Sequence, residues 1–475
     1  MKCKVSKLCG GCSLLNVPYE EQAKLKRENV VDLVRDSGLH LSVGEPHMAL
    51  QSIAYRNKVI VGFGRDPNTK KIYSGLYAPH SHRVINTKAC RMHPDLINQI
   101  INEITDLANS MKLLIYNPKT GTGLLRHVLI RYAKNTDEVM VVFVTSRPEF
   151  PSRRNMVNAL RAKFPQIKTI LQNVNPRDTS IVLQNDTQVL YGDGTITDEL
   201  CGLKITFTAS SFYQIHHDQC QELYSLARTM LDLKPDQTVL DTYCGVGTIG
   251  LVMAEDCKEV TGVEINKEAV ENAIYNARQN HISNIRFVAM DSTNFMKEAR
   301  KVHMHYDAII LDPPRAGTTH IFIESACSLN PGKILYISCD PRTQIRDLKL
   351  FKRYGYTGKT IELVDMFPNT DALETVVQLV RKKPDTYIDI TVDMDELDLT
   401  TSEAKATYDE IKDYIFDKYR VKVSSLYIAQ VKQKHGIIER DCYNNSKKDN
   451  QKQPQCPPEK VKLIEEALRH FKMIP

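Results

Sequence analysis

Five short apolar segments in the second half of the chain alternate with stretches of helical spacing, and this alternation constrains the fold more than any other feature. They lie at residues 238–241, 260–264, 285–288, 308–312 and 333–337. Apolar strands joined through helices form a parallel sheet with helices on both faces, because parallel neighbours need a long crossover between them. The pattern therefore predicts an α/β domain of the Rossmann type, and such domains bind ligands at the carboxyl ends of their strands.

The turn after the first predicted strand is rich in glycine. It reads Asp-Thr-Tyr-Cys-Gly-Val-Gly-Thr-Ile-Gly from Asp241 to Gly250, and glycines let a backbone turn sharply beneath a ligand and present amides at a helix start. Acidic residues close the later strands, namely Glu264, Asp291 and Asp312. Glu264 follows Asp241 at about the interval at which a carboxylate accepts hydrogen bonds from ribose hydroxyls. The turn predicts a nucleotide-like cofactor, and a dinucleotide dehydrogenase is an alternative because it would offer the same carboxylates.

The chain before this domain has a different pattern. Its short β-branched runs are divided by Gly, Asn and Pro turns and lie at residues 58–63, 128–132 and 139–144. They predict a mostly antiparallel module with one or two helices over about 54–200. Between Gln51 and Lys134 there are 13 Lys and Arg against 4 Asp and Glu. This excess would neutralise the phosphates of a nucleic acid, although a solvated basic face would look the same.

Four cysteines suggest a metal centre near the amino terminus. Cys3, Cys9 and Cys12 are spaced C-x5-C-x2-C, and the Gly-Gly between the last two allows the tight turn that ligation needs. A fourth ligand must come from elsewhere, and Cys90 is the natural candidate. Four thiolates suit a structural zinc or an iron–sulfur cluster, and the spacing does not decide between them. The plain alternative is a set of free thiols.

The length of 475 residues predicts several domains. We place their boundaries at 1–92 for the cysteine region and the start of the central domain, 93–208 for the rest of that β-rich domain, 209–384 for the Rossmann-like domain and 385–475 for a helical appendage. No run of about 18 apolar residues and no signal-peptide pattern are present, so we expect a cytoplasmic protein without membrane association.

The appendage shows helical patterns at about 400–416, 421–435 and 459–471, the second entered through a serine cap. We expect Lys432 and Lys434 to be exposed on the second helix. Residues 385–475 carry 15 Lys and Arg against 17 Asp and Glu. An RNA-binding module and a packing or protein-contact module are therefore equally compatible with the appendage.

Two residues carry possible covalent chemistry. Cys339 follows the last predicted strand in Ile-Ser-Cys-Asp-Pro, and Glu374 follows in Asp-Ala-Leu-Glu-Thr. A cysteine at the end of a buried strand is usually a packing residue, and a carboxylate is usually a cap or a surface group. On residue chemistry alone, neither reading of Cys339 prevails.

Several motifs together identify a family. From Cys3 to about residue 383 the chain resembles the RNA uracil-5-methyltransferases, in particular their iron–sulfur cluster-bearing branch that modifies 23S rRNA. The matches are the four cysteines and the segments 211–215, 241–248, 311–315 and 337–341, with Glu374. The resemblance implies a Rossmann-like S-adenosylmethionine-dependent methyltransferase domain after a mostly β RNA-binding domain with a four-cysteine cluster, and before the helical appendage.

The resemblance also implies roles for individual residues. Cys339 would be the thiolate that adds to C6 of uracil, and Glu374 the base that removes the C5 proton. The S-adenosylmethionine site would comprise Gln214 at the methionine end, Tyr243 as aromatic surface, Glu264 at the ribose and Asp312 between cofactor and base. Cys3, Cys9, Cys12 and Cys90 would hold a [4Fe-4S] cluster, with zinc as the second choice.

The expected substrate is 23S rRNA, and no obligatory protein partner is evident. One alternative is a tRNA 5-methyluridine methyltransferase. An RNA cytosine-5-methyltransferase has less support, because that class usually has cysteines at the ends of two neighbouring strands, and Asp312-Pro-Pro lacks the second cysteine. An aminomethylase would need an aromatic residue where Arg315 stands. One departure concerns His216, which replaces an amide that relatives commonly have beside Gln214, and this leaves the detail of the cofactor pocket open.

Overall fold

Two compact units make up the chain, Met1–Asp385 and Thr386–Pro475. The computed structural model describes residues 3–177, 181–381, 408–419, 421, 423–435, 456–471 and 473–474. Within these ranges, no helix has the length and apolar character needed to cross a membrane.

Ten helices and seventeen strands form the described part of the first unit. The helices are α1 (Ser6–Cys9), α2 (Tyr19–Ser37), α3 (Asp95–Ser110), α4 (Arg153–Lys163), α5 (His217–Leu231), α6 (Thr248–Met253), α7 (Lys267–Gln279), α8 (Ser292–Lys301), α9 (His320–Ser328) and α10 (Pro341–Arg353). The first ten strands are β1 (Ser42–His47), β2 (Lys58–Arg65), β3 (Ile72–Tyr77), β4 (Val84–Asn86), β5 (Leu125–Ala133), β6 (Glu138–Thr145), β7 (Ile167–Val174), β8 (Thr187–Tyr191), β9 (Ile196–Leu200) and β10 (Leu203–Phe207). The remaining strands are β11 (Thr238–Thr242), β12 (Glu259–Glu264), β13 (Ile285–Ala289), β14 (Ala308–Leu311), β15 (Lys333–Ser338), β16 (Tyr356–Val364) and β17 (Glu374–Arg381).

An eight-stranded sheet contains the alternation predicted from the sequence. Its strand order is β1-β16-β17-β15-β14-β11-β12-β13. The five predicted strands are confirmed as β11 to β15, all mutually parallel. The inner positions of β11, β12, β14 and β15 are buried because helices cover both faces, whereas β13 lies at the edge of the sheet and is only partly buried. β17 runs antiparallel between β15 and β16. The start of β17 therefore lies at the same edge as the carboxyl ends of the parallel strands.

A second sheet of seven strands, ordered β4-β3-β2-β5-β6-β7-β8, forms the centre of the unit. Apart from β6 and β7, which are parallel and joined through α4, its neighbours are antiparallel, as the sequence pattern predicts. Alternation along β5 separates two cores. Val128 and Ile130 pack with α3 and α4, whereas Leu129 and Ala133 pack in the same cluster as Val239 of the parallel sheet.

The segment that follows the cysteines belongs structurally to the eight-stranded sheet. Val30 and Val34 of helix α2 join the apolar cluster of β11, β14 and β15. β1 then adds a parallel strand beside β16. The predicted region 1–92 thus contains elements of both sheets, because β1 belongs to the eight-stranded sheet and β2, β3 and β4 belong to the seven-stranded one.

The second unit, in its described part, consists of α11 (Tyr408–Tyr419), α12 (Ser425–Lys434) and α13 (Pro458–His470) around an apolar cluster that includes Ile428 and Leu468. The hydroxyl of Ser424 caps α12 by accepting from the Tyr427 amide. The prediction that Lys432 is exposed was wrong. Its side chain is buried because its stem lies on the apolar face of α12, while Lys434 faces outward and pairs with Glu465 at 3.3 Å. The start of the first predicted helix lies outside the described residues.

Candidate active site

Three sequence-predicted residues meet at one edge of the eight-stranded sheet. Ser338, the last residue of β15, lies opposite Thr375 of β17, so Cys339 emerges beside Glu374. Leu311, the last residue of β14, pairs with Tyr336, and Asp312 follows it toward the same edge. The reversed direction of β17 brings a carboxylate next to a thiol 35 positions earlier in the chain.

Hydrogen bonds on both sides fix the backbone at Cys339. The hydroxyl of Ser338 accepts from the Asp340 amide at 3.2 Å, and the carboxylate of Asp340 caps α10 by accepting from the Arg342 amide at 3.0 Å. Thr375 donates to the Ser338 carbonyl at 3.1 Å. The thiol is therefore carried on a rigid strand-to-helix turn and is half-buried rather than enclosed in the core.

The electrostatics of the site oppose ionisation of every acidic group in it. Burial, together with the charge of Glu374, raises the pKa of Cys339 to about 11, while Arg315 acts in the opposite direction. Glu374 is 2% exposed and its Oε2 has no hydrogen-bond partner among the described residues. Burial and the neighbouring Asp312 hold the pKa of Glu374 well above its usual range, and burial raises the pKa of Asp312 to about 7. Such displaced values are typical of functional sites.

Arg315 is the cation of this site, and sequence reasoning did not assign it a role. Its loop is tied to α10, because Thr343 donates to the Arg315 carbonyl at 3.2 Å and Arg346 to the Ala316 carbonyl at 3.0 Å. Its own side chain is exposed, and its charge lowers the pKa of Cys339. The signal was present in Asp-Pro-Pro-Arg, since an arginine three residues after a carboxylate at a strand end lies within reach of the same edge.

The glycine turn between β11 and α6 forms a second part of the site. The amide of Gly245 donates to Glu264 Oε2 at 3.2 Å, and the Asn266 amide donates to Oε1 at 2.9 Å, so the carboxylate has a defined position. Gly247 has φ +85°, and a Cβ there would lie 2.8 Å from the Phe287 ring. A Cβ at Gly245 would meet nothing within 4 Å, so the turn presents open space in front of Glu264.

Asp241 and Asp291, which also follow strands of the parallel sheet, differ in their surroundings. Asp291 caps α8 by accepting from the Asn294 amide at 3.0 Å, so it stabilises the start of that helix. Asp241 is buried behind the glycine turn, and burial with the nearby charge of Asp312 raises its pKa well above the ordinary value. In the described part of the chain, neither Asp241 nor Asp291 forms a hydrogen bond with Cys339 or Glu374.

Gln214 and Tyr243 have different surroundings. Asn57, just before β2, donates to the Gln214 carbonyl at 2.8 Å, which anchors this motif to the central sheet. Tyr243 has φ +61°, and its ring stacks on Phe322 at 5.3 Å between centroids. One face of Tyr243 is thus used in packing, and its partial exposure leaves the other available to a ligand.

His216 is a packing and capping residue in this chain. Its ring is buried, stacks on Tyr55 at 4.7 Å and accepts from the Gln219 amide at 3.4 Å as the cap of α5. Burial lowers its pKa to about 4, so it is neutral at physiological pH.

The four predicted metal ligands line one pocket. Cys3, Cys9, Cys12 and Cys90 surround a cavity of about 560 Å³ with Arg56 in its wall. Among the described residues, no group of three or more His, Cys, Asp or Glu side chains is arranged to hold a metal ion. The donor set fits a thiolate-ligated group, because four sulfurs face one space, but the sulfurs do not converge on a single point.

The residues just after Cys12 form hydrogen bonds with the loop that precedes Glu374. The amide of Leu14 donates to the Asn369 carbonyl at 3.0 Å, and the hydroxyl of Ser13 donates to Asp371 Oδ1 at 3.2 Å. Deeper in the same loop, Lys26 of α2 forms a 2.6 Å ion pair with Asp365, and both side chains are buried. Sequence reasoning missed these contacts, since they join residues more than 330 positions apart.

The chain is similar to several known proteins. Residues 152–382 match the family model described as tRNA (Uracil-5-)-methyltransferase. An uncharacterized RNA methyltransferase of Clostridium tetani is 36% identical over 376 residues, which cover 79% of this chain and 81% of the relative. One of Halalkalibacterium halodurans is 35% identical over 382 residues, covering 80% and 83%.

Among solved structures, the tRNA (uracil-54, C5)-methyltransferase of Pyrococcus abyssi in complex with S-adenosyl-L-homocysteine is similar, with a TM-score of 0.64 and 25% identity. The similarity covers 78% of this chain and 85% of that one.

Proposed function

The chain belongs to the RNA uracil-5-methyltransferase family and has its S-adenosylmethionine-dependent fold, and from this premise we propose that it methylates C5 of a uridine in 23S rRNA through a covalent adduct with Cys339. The observation that carries the proposal is the register that sets Cys339 beside a buried Glu374. A thiol and a carboxyl at one strand edge, with a cation near both, match the needs of this reaction.

The proposed chemistry begins with the uracil ring. The Cys339 thiolate adds to C6, and the electron pair of the C5–C6 bond moves toward the ring carbonyl, which makes C5 nucleophilic. S-adenosylmethionine, when bound, supplies an electrophilic methyl group to C5 and becomes S-adenosylhomocysteine. Glu374 then accepts the C5 proton, the C5–C6 double bond re-forms, and Cys339 leaves as a thiolate. The raised pKa of Glu374 makes it a stronger base for this step.

Arg315 stabilises the Cys339 thiolate in this proposed reaction. Its guanidinium favours the thiolate of Cys339, which burial and Glu374 disfavour. The exposed position of Arg315 also suits contact with the RNA around the base. A stacked uracil hides C5 and C6, so the target must be unpaired or extruded into the site, at a cost of a few kcal/mol.

Gln214, Tyr243, Glu264 and Asp312 are proposed to hold S-adenosylmethionine. The open space before Glu264 and the half-exposed ring of Tyr243 support this assignment. Glu264 already accepts two amides, and its oxygens have further lone pairs for ribose hydroxyls.

The four cysteines are proposed to hold a [4Fe-4S] cluster. A zinc ion needs its sulfurs about 2.3 Å from one point, whereas a cluster spreads its ligands around a larger body. A cavity of about 560 Å³ with thiols in its wall therefore supports the cluster over the single ion. Bound there, the cluster would bridge the amino-terminal segment and the residues after β4.

The RNA class is the finer part of the proposal. The four cysteines favour 23S rRNA by resemblance to the cluster-bearing branch, whereas the Pyrococcus neighbour acts, by its name, on tRNA. A tRNA 5-methyluridine methyltransferase is therefore the second candidate.

The test is nucleoside mass spectrometry of unmodified 23S rRNA and tRNA transcripts after incubation with the protein and methyl-labelled S-adenosylmethionine. We expect labelled 5-methyluridine from 23S rRNA, none with Cys339→Ala, and full activity with Cys201→Ala, a matched thiol outside the site. Glu374→Gln should accumulate a methylated RNA–protein adduct that survives denaturing electrophoresis. Label in methylcytidine, or activity that survives Cys339→Ala, would contradict the mechanism, and label in tRNA alone would move the assignment to the second candidate.

A further inference from the structure

A groove on the central sheet lies outside the Cys339–Glu374 site and shares Cys9 with the cysteine pocket. Its volume is about 900 Å³, and its lining includes Phe63, Tyr77, His80, His82, Arg126 and His127. None of the described residues that line it is acidic. Aromatic and basic side chains without carboxylates are the composition that suits an unpaired nucleic acid strand.

Tyr77 presents an aromatic ring to this groove. Its ring lies across Gly62, where a Cβ would come within 2.5 Å of the phenolic oxygen, so the strand surface must be flat at that point. The Tyr77 hydroxyl and His127 Nε2 are 2.9 Å apart, which fixes the ring orientation. The residue is nevertheless 37% exposed, so part of its ring is available for stacking.

Two polar groups in the groove wall have unused hydrogen-bonding capacity. Arg126 is 93% buried and stacks on Tyr116 at 4.2 Å, and its Nε has no partner among the described residues. Its Nη1 donates at 2.7 Å to main-chain carbonyls, of Asn175 and Arg177, which do not neutralise its charge. His127 Nδ1 is likewise unpartnered in the described structure, and burial lowers the His127 pKa to about 4, so it offers a neutral imidazole.

The groove lies on the sheet face that continues toward the active site. Alternation along β5 puts His127 and Arg131 on the same face, and Arg131 donates to the Ala209 carbonyl at 3.0 Å, just before the Gln214 motif. Four residues of strand separate them, a distance of roughly 13 Å. The groove and the segment that leads to Gln214 are thus connected through β5.

From these observations we infer that the groove binds an unpaired nucleotide of the RNA substrate, with its base stacked on Tyr77 and its backbone held by the field of Arg126. This inference rests on the proposed function for the identity of the RNA, but its test reads binding rather than methyl transfer. The two proposals can therefore fail separately.

The probe is a fluorescein-labelled single-stranded RNA of about 12 nucleotides, titrated with the full-length protein by anisotropy, beside the same sequence as a duplex. We expect Tyr77→Ala to weaken single-strand binding roughly 5- to 150-fold and Tyr77→Phe to retain it, because stacking needs the ring but not the hydroxyl. S-adenosylmethionine affinity should be unchanged in both variants.

Tyr73→Ala is the matched control. Tyr73 also covers a glycine of β2, Gly64, but does not line the groove. Equal losses in Tyr73→Ala and Tyr77→Ala would assign the effect to the sheet and overturn the inference, as would native single-strand affinity in Tyr77→Ala or absence of single-strand binding by the native protein. Loss confined to Tyr77→Ala supports it, whether or not methyl transfer is detected.

Discussion

Replacing Glu374 by glutamine should make Cys339 easier to ionise. The pKa of Cys339 is about 11, against 9.0 for an ordinary thiol, and the carboxylate is the largest cause after burial. Two pKa units leave the thiolate about 100-fold scarcer than in an unperturbed thiol at neutral pH. Glu374→Gln removes the charge and keeps the burial, so the pKa should fall below that of the native protein while staying above 9.0.

The assay is alkylation with iodoacetamide across a pH series, read by mass spectrometry of the peptide that contains Cys339. Only the thiolate reacts, so the midpoint of the rate reports the pKa. Arg315→Met should move the midpoint upward, because the guanidinium favours the thiolate.

Cys201 supplies an internal control in the same digest. Its pKa is also raised to about 11, by burial, but the charges near it are Arg228 and Glu255. Its midpoint should be the same in Glu374→Gln as in the native protein. A Cys339 midpoint that does not move in Glu374→Gln, or that lies at 9.0 or below in the native protein, would refute the electrostatic account of the site.

Two further predictions concern the buried Lys26–Asp365 ion pair and the iron–sulfur cluster. Lys26→Met should lower the free energy of unfolding in urea by about 3–5 kcal/mol, because it leaves Asp365 buried and unpaired. The double change with Asp365→Leu should cost far less, and equal costs would contradict this interpretation of the pair. Anaerobically purified protein should contain iron and sulfide and show cluster absorbance, and Cys12→Ser should lose them; zinc in their place would refute the cluster.

The parallel sheet was predictable from the sequence because each of its strands is a short apolar run between helices. β11 to β15 appear where the pattern predicts them. Apolar periodicity reports burial, and burial on both faces admits few arrangements other than a parallel sheet.

The geometry of the site was less accessible to residue patterns. That Cys339 meets Glu374 depends on the reversed direction of β17, and only the family resemblance anticipated their joint role. The fate of His216 could not be read either, because its stacking on Tyr55 joins segments about 160 positions apart. The same holds for Lys432, where periodicity alone did not show which face of a short helix is covered.

The pairing of β1 with β16 has a consequence for biosynthesis. Ser42 leaves the ribosome about 320 residues before its partner Thr360, and at 5–20 residues per second this is a delay of roughly 16–64 s. For much of that interval α2 has its apolar side, including Val30 and Val34, without β11, β14 and β15, the strands on which it packs. The nascent chain therefore carries an uncovered apolar helix until those later strands appear. Synthesis speed and chaperone access should therefore affect the yield of this protein.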